Sequence, residues 1–145
     1  VSHSPKKAAA GFGTEMLKRL RYAISRIEKP AYAHGWLSTR GLTLPDLLGI
    51  GAQKAGTTWL DRNLRCHPDL YLPANKELHY FDWHYHQSLR SYARNFAEAA
   101  GRTCGEITPG YGIIAQERIK LIARLMPEVR LILLIRNPID RAWSH

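Results

Sequence analysis

Cysteine is nearly absent from this chain, which carries Cys66 and Cys104 and no others. Nothing in their spacing suggests a metal knuckle or a disulfide framework, so both are expected as small apolar core thiols. Long hydrophobic runs are missing too. The longest aliphatic stretches are "LILLI" at 131–135 and "LLGIGA" at 47–52. Both fall far short of the roughly 20 apolar residues that cross a bilayer, and both suit buried strands. The first 30 residues lack the apolar central region and small-residue cleavage site of a secretory signal. Acidic residues are scarce beside basic ones, 12 against 21, for a net charge of +9. Such a field favours anionic partners (nucleotides, phosphates, polyanionic sugars, nucleic acid or acidic lipid) without choosing among them. The remaining composition, 45% hydrophobic and 23% charged over 145 residues, is that of about one soluble globular domain with a real core.

Two segments differ in character. Residues 1–45 form a basic N-terminal segment, and residues 1–46 hold eight basic groups against three acidic ones. Residues 1–13 read as a flexible lead-in. A helix is expected from Thr14, as cap, to Lys29, with Leu17, Leu20, Ile24 and Ile27 as its apolar stripe and Pro30 ending it. Lys18, Arg19, Arg21 and Arg26 lie off that stripe. Such a helix either packs on its own domain or lies on a membrane or partner. Residues 31–45 read as a connector.

Residues 46–145 alternate strand and helix. "LLGIG" is a buried strand followed by a glycine-rich turn and a helix from Thr57 to about Cys66. "TCGEI" at 103–107 is a second strand. "AQERIKLIARLM" at 115–126 is a helix with Ile119, Ile122, Ala123 and Met126 on one face. "RLILLI" at 130–135 is a third strand, uniformly aliphatic as in a parallel sheet covered on both sides. Asn137 and Pro138 then make a cap and first helical residue. This order predicts an α/β fold with a P-loop-like central parallel sheet flanked by helices, with ligands at the carboxyl ends of the strands. The chain stops within a helical pattern at His145, so it reads as a fragment truncated at its C-terminus.

The turn "GAQKAG" at 51–56 has the glycine spacing of a phosphate-binding loop, but Thr57-Thr58 follows where a nucleotide triphosphatase carries Lys-Ser. Glycine lets the backbone approach an anion, the first helical amides point at it, and Lys54 brings charge from within the loop. The third strand ends in Arg136, a cation that suits a second anion and argues against a magnesium site. Arg141 and Ser144 lie three apart on the next helix, and Arg136 with Ser144 can grip one phosphate. Two phosphate sites at adjacent strand ends fit a nucleotide phosphorylated at both 5′ and 3′ positions.

At this point "GAQKAGTTWL" resembles the 5′-phosphosulfate loop of sulfotransferases, and "LILLIRNPIDRAWSH" resembles their 3′-phosphate motif. The resemblance runs from about residue 47 to the end. "NKELHYFDW" at 75–83 resembles the segment around the catalytic glutamate in the heparan-sulfate branch. The donor implied is 3′-phosphoadenosine 5′-phosphosulfate, and no metal is implied. By the same resemblance Lys54, Ala55, Gly56, Thr57 and Thr58 hold the 5′-phosphosulfate, and Arg136 and Ser144 the 3′-phosphate. Glu77 is then the general base, Lys54 stabilises the leaving group, and His79 and Asp82 face a small-molecule or glycan acceptor. One position departs from the pattern: "GEITPGY" at 105–111 has Ile107 where glycosaminoglycan-modifying members carry lysine. His79, Asp82, His84 and His86 can be drawn as a metal cluster, a reading the scheme does not need. A nucleotide kinase or triphosphatase and a polyanion-binding module are the competing functions. No base-reading motif points to nucleic acid. The chain is expected in the cytoplasm, or in the Golgi lumen if an N-terminal anchor precedes it; its oligomeric state stays open.

Overall fold

The computed structural model describes residues 5–143, with side chains from Glu15 onward apart from Lys18. Ser144 therefore lies outside the described residues. The aliphatic run Leu47–Gly51 forms β1, and Leu48 within it is fully buried. Around it the chain lays β2 (Leu70–Tyr71), β3 (Thr103–Ile107) and β4 (Arg130–Leu133) in the order β2-β3-β1-β4. Every pairing is parallel, with Leu47 opposite Gly105 on one side and Arg130 on the other. Parallel neighbours need crossovers, and helices supply them. α2 (Thr57–Arg65) follows β1, α3 (Leu89–Ala93) and a 3-10 turn (Arg94–Ala99) precede β3, and α4 (Gln116–Leu125) precedes β4. A second 3-10 turn (Pro109–Ile113) follows β3, and α5 (Pro138–Ala142) comes last. The fold is α/β, a parallel sheet flanked by helices.

The core is rich in aromatic rings. Tyr80, Phe81, Tyr92, Phe96 and Tyr111 cluster with Leu48, Leu89, Leu121 and Leu125. Tyr80 stacks on Tyr92 at 4.3 Å between centroids, and Phe81 meets Tyr92 and Tyr111 edge to face, geometries that ring quadrupoles favour. Since Tyr80 and Phe81 belong to the segment 75–83, packing this core also fixes that loop.

Five expectations need correction. The first helix, α1, runs from Pro5 to Ala33 and contains Pro30. Thr14 is thus interior and Pro30 does not end the helix; it forfeits the amide bond to the Arg26 carbonyl, yet the helix runs on to Ala33 and the Pro30 carbonyl accepts from the His34 N–H at 2.8 Å. The face of α1 that packs is not the apolar one. Ser25 and Lys29 are buried, Lys29 donates to the Gln87 carbonyl at 2.7 Å, and Glu28 accepts from the Leu89 N–H at 3.1 Å, while Leu17, Leu20, Ile24 and Ile27 are exposed. On α4 the buried residues are Leu121, Ile122 and Leu125, with Ile119 and Ala123 exposed. Strand β4 is an edge strand, and its Leu131 and Leu133 are exposed, not covered on both faces. Cys104 is buried as expected, but Cys66 is exposed at the end of α2, and both are free thiols.

Candidate active site

The loop after β1 turns sharply into α2. Gly56 caps α2 with φ 98°, and a side chain there would be strained although the space beside it is open. The first turn of α2, whose amides have no acceptor within the helix, looks into a cavity of about 460 Å³. Lys54 lines it from this loop, Thr57 and Thr58 from the start of α2, Arg136 from the segment that leaves β4, and Lys76 and Glu77 from the segment before the aromatic core. Residues far apart in sequence thus share one space because the carboxyl ends of β1 and β4 are adjacent. Arg136 closes one wall, donating from Nη1 to the Lys54 carbonyl at 3.3 Å. Ala55 lies in the turn itself, its N–H donating to the Ala52 carbonyl.

The acidic side of the cavity is a linked group. Glu77 Oε1 pairs with Lys76 Nζ at 2.5 Å, and its Oε2 stands 3.5 Å from His79 Nε2. The other ring nitrogen of His79 is 2.8 Å from Asp82 Oδ2. The imidazole lies flat on the Trp83 indole, 3.7 Å between centroids and 9° between planes. Asp82 also accepts from the Trp83 N–H through Oδ1 at 2.6 Å. Glu77, His79 and Asp82 therefore form a row, Glu77 open to the cavity and His79 nearly sealed behind it.

Three of these positions share a backbone peculiarity. Lys54, Glu77 and His79 have φ of 59°, 61° and 52°, the left-handed region that side-chain-bearing residues rarely occupy. Such conformations persist only where surroundings over-determine them, and they gather at functional sites. The surroundings here are visible. The Glu77 N–H donates to the Ile107 carbonyl at the end of β3. Tyr111 Oη accepts from the Tyr80 and Phe81 amides. Arg118 of α4 donates to the carbonyls of Phe81 and Asp82. Arg65 of α2 grips Asp61 and also donates to the Leu72 and Pro73 carbonyls, holding the approach to Lys76.

Several of these anchors escaped the sequence reading, and Glu106 is the most consequential. It is fully buried on β3, where the hydroxyls of Tyr92, Thr108 and Tyr111 all donate to it. Burial lifts its pKa to about 7, although these donors and the Leu78 amide pull it down. Through Tyr111, Glu106 reaches the backbone that carries His79 and Asp82. Gln53 was missed as well; it lines the phosphate-type cavity, a neighbouring one of about 330 Å³ beside His79 and Asp82, and a third of about 400 Å³ beside Arg141. His84 and His86 stand 6.1 Å apart ring to ring. Among the described residues no group of three or more His, Cys, Asp or Glu side chains is arranged to hold a metal ion.

The chain is 35% identical over 108 residues to the membrane-associated sulfotransferase kil1 of Dictyostelium discoideum, a match covering 72% of this chain and 23% of that protein. It is also 35% identical over 101 residues to heparan sulfate glucosamine 3-O-sulfotransferase 6 of Homo sapiens, covering 69% of this chain and 29% of that one. The chain is a relative of the sulfotransferases. A solved sulfotransferase from Alicyclobacillus acidocaldarius superposes with a TM-score of 0.62 and 28% identity, over 71% of this sulfotransferase-like chain and 49% of the other. No family model matches. The chain spans only about a quarter of the length of these two curated sulfotransferases, 23% and 29%.

Proposed function

We propose that the protein carrying this chain transfers a sulfuryl group from 3′-phosphoadenosine 5′-phosphosulfate to a hydroxyl or amine of an acceptor, and that residues 46–145 are the cofactor-binding part of its catalytic domain. One observation carries the reading: Lys54, Glu77 and Arg136, named from three separate motifs, line a single cavity at the first turn of α2. The donor set suits a doubly phosphorylated nucleotide. Lys54, Lys76, Thr57, Thr58 and the α2 amides would hold the 5′-phosphosulfate, with Ala55 and Gly56 shaping the turn. Arg136, joined by Ser144 beyond the described residues, would hold the 3′-phosphate.

When bound, the donor supplies an activated sulfuryl group on a phosphate leaving group. Lys54 neutralises the charge growing on the oxygen that joins sulfur to phosphorus as that bond breaks. Glu77 takes the acceptor's proton as its oxygen or nitrogen bonds to sulfur. Asp82 holds the ring nitrogen of His79 so that Nε2 stays directed at Glu77, orienting the base and lining the acceptor side. The acceptor's chemistry is narrowed at one place. Ile107 is buried and packs where a Cβ on Gly49 would meet it at 2.9 Å, so this position offers no cation to an anionic polysaccharide.

Calorimetry or thermal shift decides between this and the kinase reading. Adenosine 3′,5′-bisphosphate should stabilise the protein more than ADP, since a charged hydrogen bond contributes about 1.5–3 kcal/mol. Arg136→Ala should erase the difference. Equal shifts for the two ligands, or binding of ADP only with magnesium, would reverse the assignment.

A further inference from the structure

We propose that the outward face of α1 is a docking surface for an anionic phospholipid bilayer. The helix is turned the opposite way from an ordinary surface helix. Its polar residues Ser25, Glu28 and Lys29 face the body of the protein. Its apolar side chains Met16, Leu17, Leu20, Ile24 and Ile27 face solvent, exposed from 49% at Ile24 to 75% at Ile27. At 100° per residue these five share one side of the helix, directly opposite Ser25 and Lys29. A contiguous apolar patch of this kind on a soluble surface marks something that covers it.

Charge says what the cover is. Arg19 lies on one flank of the stripe and Arg21 on the other, both exposed, while Arg26 turns toward a cavity of about 450 Å³ that it lines with Ser25, Lys29 and Trp83. Of the two acids on the described part of α1, Glu15 pairs with Arg19 and Glu28 turns inward to Leu89. An apolar stripe edged by arginines suits the headgroup boundary, where the stripe enters the acyl region and the guanidinium groups stay with lipid phosphates. Trp36, 78% exposed just beyond the helix, is of the residue type that settles at that depth. The helix would lie on the bilayer, since no described helix is long and apolar enough to cross one.

A second copy of the chain is the competing occupant, because Leu17, Leu20, Ile24 and Ile27 have the 3-4-3 spacing of a coiled-coil seam. That spacing lasts two heptads, fewer than a coiled coil sustains, and pairing two such helices brings arginine flanks together without acids to answer them. The geometry therefore favours lipid. The inference does not rest on the catalytic reading, and its test needs no activity.

The test is co-sedimentation of the protein that carries this chain with vesicles of phosphatidylcholine alone and with about a third phosphatidylserine. Binding is expected to the anionic vesicles only and to weaken in high salt. The double variant Leu20→Asp, Ile24→Asp should lower binding at least about tenfold, and Arg19→Glu, Arg21→Glu should do likewise. All four positions are exposed, so circular dichroism and thermal melting should stay unchanged. Equal binding to neutral vesicles, or wild-type binding by either double variant, overturns the proposal. So does concentration-dependent dimerisation that Leu20→Asp, Ile24→Asp abolishes without any vesicle binding, which would assign the face to a second copy.

Discussion

Glu77 and Glu106 are two carboxylates held in opposite surroundings, and each makes a separate prediction. Glu77 opens onto the cavity beside Lys76 and His79. Replaced by glutamine it keeps its size but cannot take a proton. Transfer should fall by about 10²–10⁴-fold, the usual contribution of a general base, while adenosine 3′,5′-bisphosphate still binds. Wild-type turnover by Glu77→Gln would move the base elsewhere, with His79 next. Glu106 is sealed, and burial raises its pKa from 4.5 to about 7. The folded state thus holds this proton more tightly than the unfolded chain. Below pH 4.5 both states are protonated; between about 4.5 and 7 stability falls as pH rises, then levels off. The span corresponds to a loss on the order of 3 kcal/mol. Denaturant melts from pH 4 to 8 should show Glu106→Gln losing that part of the slope, and an unchanged profile would mean that folding does not raise the pKa of Glu106. Glu77 was nameable as a candidate base because its motif is contiguous. Glu106 was not, because its partners come from α3, from the strand's own exit and from the turn after it, and "GEITPGY" reveals none of them.

At the scale of elements, β1 and β3 were legible to the residue because a short apolar run between turn signals has few other uses. The side an element presents was not legible. Periodicity gave α1 an apolar stripe but could not say that Lys29 and Glu28 would reach Gln87 and Leu89 and turn the stripe outward. The turn after β3 shows how closely elements meet at the site. A Cβ on Gly110 would stand 2.6 Å from Asp82 Oδ2 and nearly touch the His79 ring. The backbone there tolerates alanine, so Gly110→Ala should displace the carboxylate and not the fold. Misplacement of about 1 Å can cost about 10²-fold in rate. Transfer is expected to drop by up to that factor with nucleotide affinity unchanged, and equal losses in both would place the damage in the phosphate loop instead.

For the molecule as a whole, the sheet has one finished side and one open one. β2, β3 and β1 carry their apolar residues inward, whereas Leu131, Leu133 and Ile135 alternate along one face of β4 and its exit at 59%, 54% and 88% exposure. Parallel sheets of this class bury both faces, and an uncovered apolar edge strand is a template for association. The match to the solved sulfotransferase takes in 49% of that chain, so much of what surrounds a sheet of this kind is not among the residues here. The 145-residue chain by itself should therefore bind a hydrophobic dye and associate as its concentration rises. Lysine at Leu131 and Leu133 together should suppress both effects, since like charges on neighbouring copies repel across a shared edge. Leu20→Asp, Ile24→Asp on α1 should leave this association in place, which separates the sheet edge from the helix face. If analytical ultracentrifugation finds the unmodified chain monomeric and dye-free at high concentration, the exposed face of β4 is not an association surface.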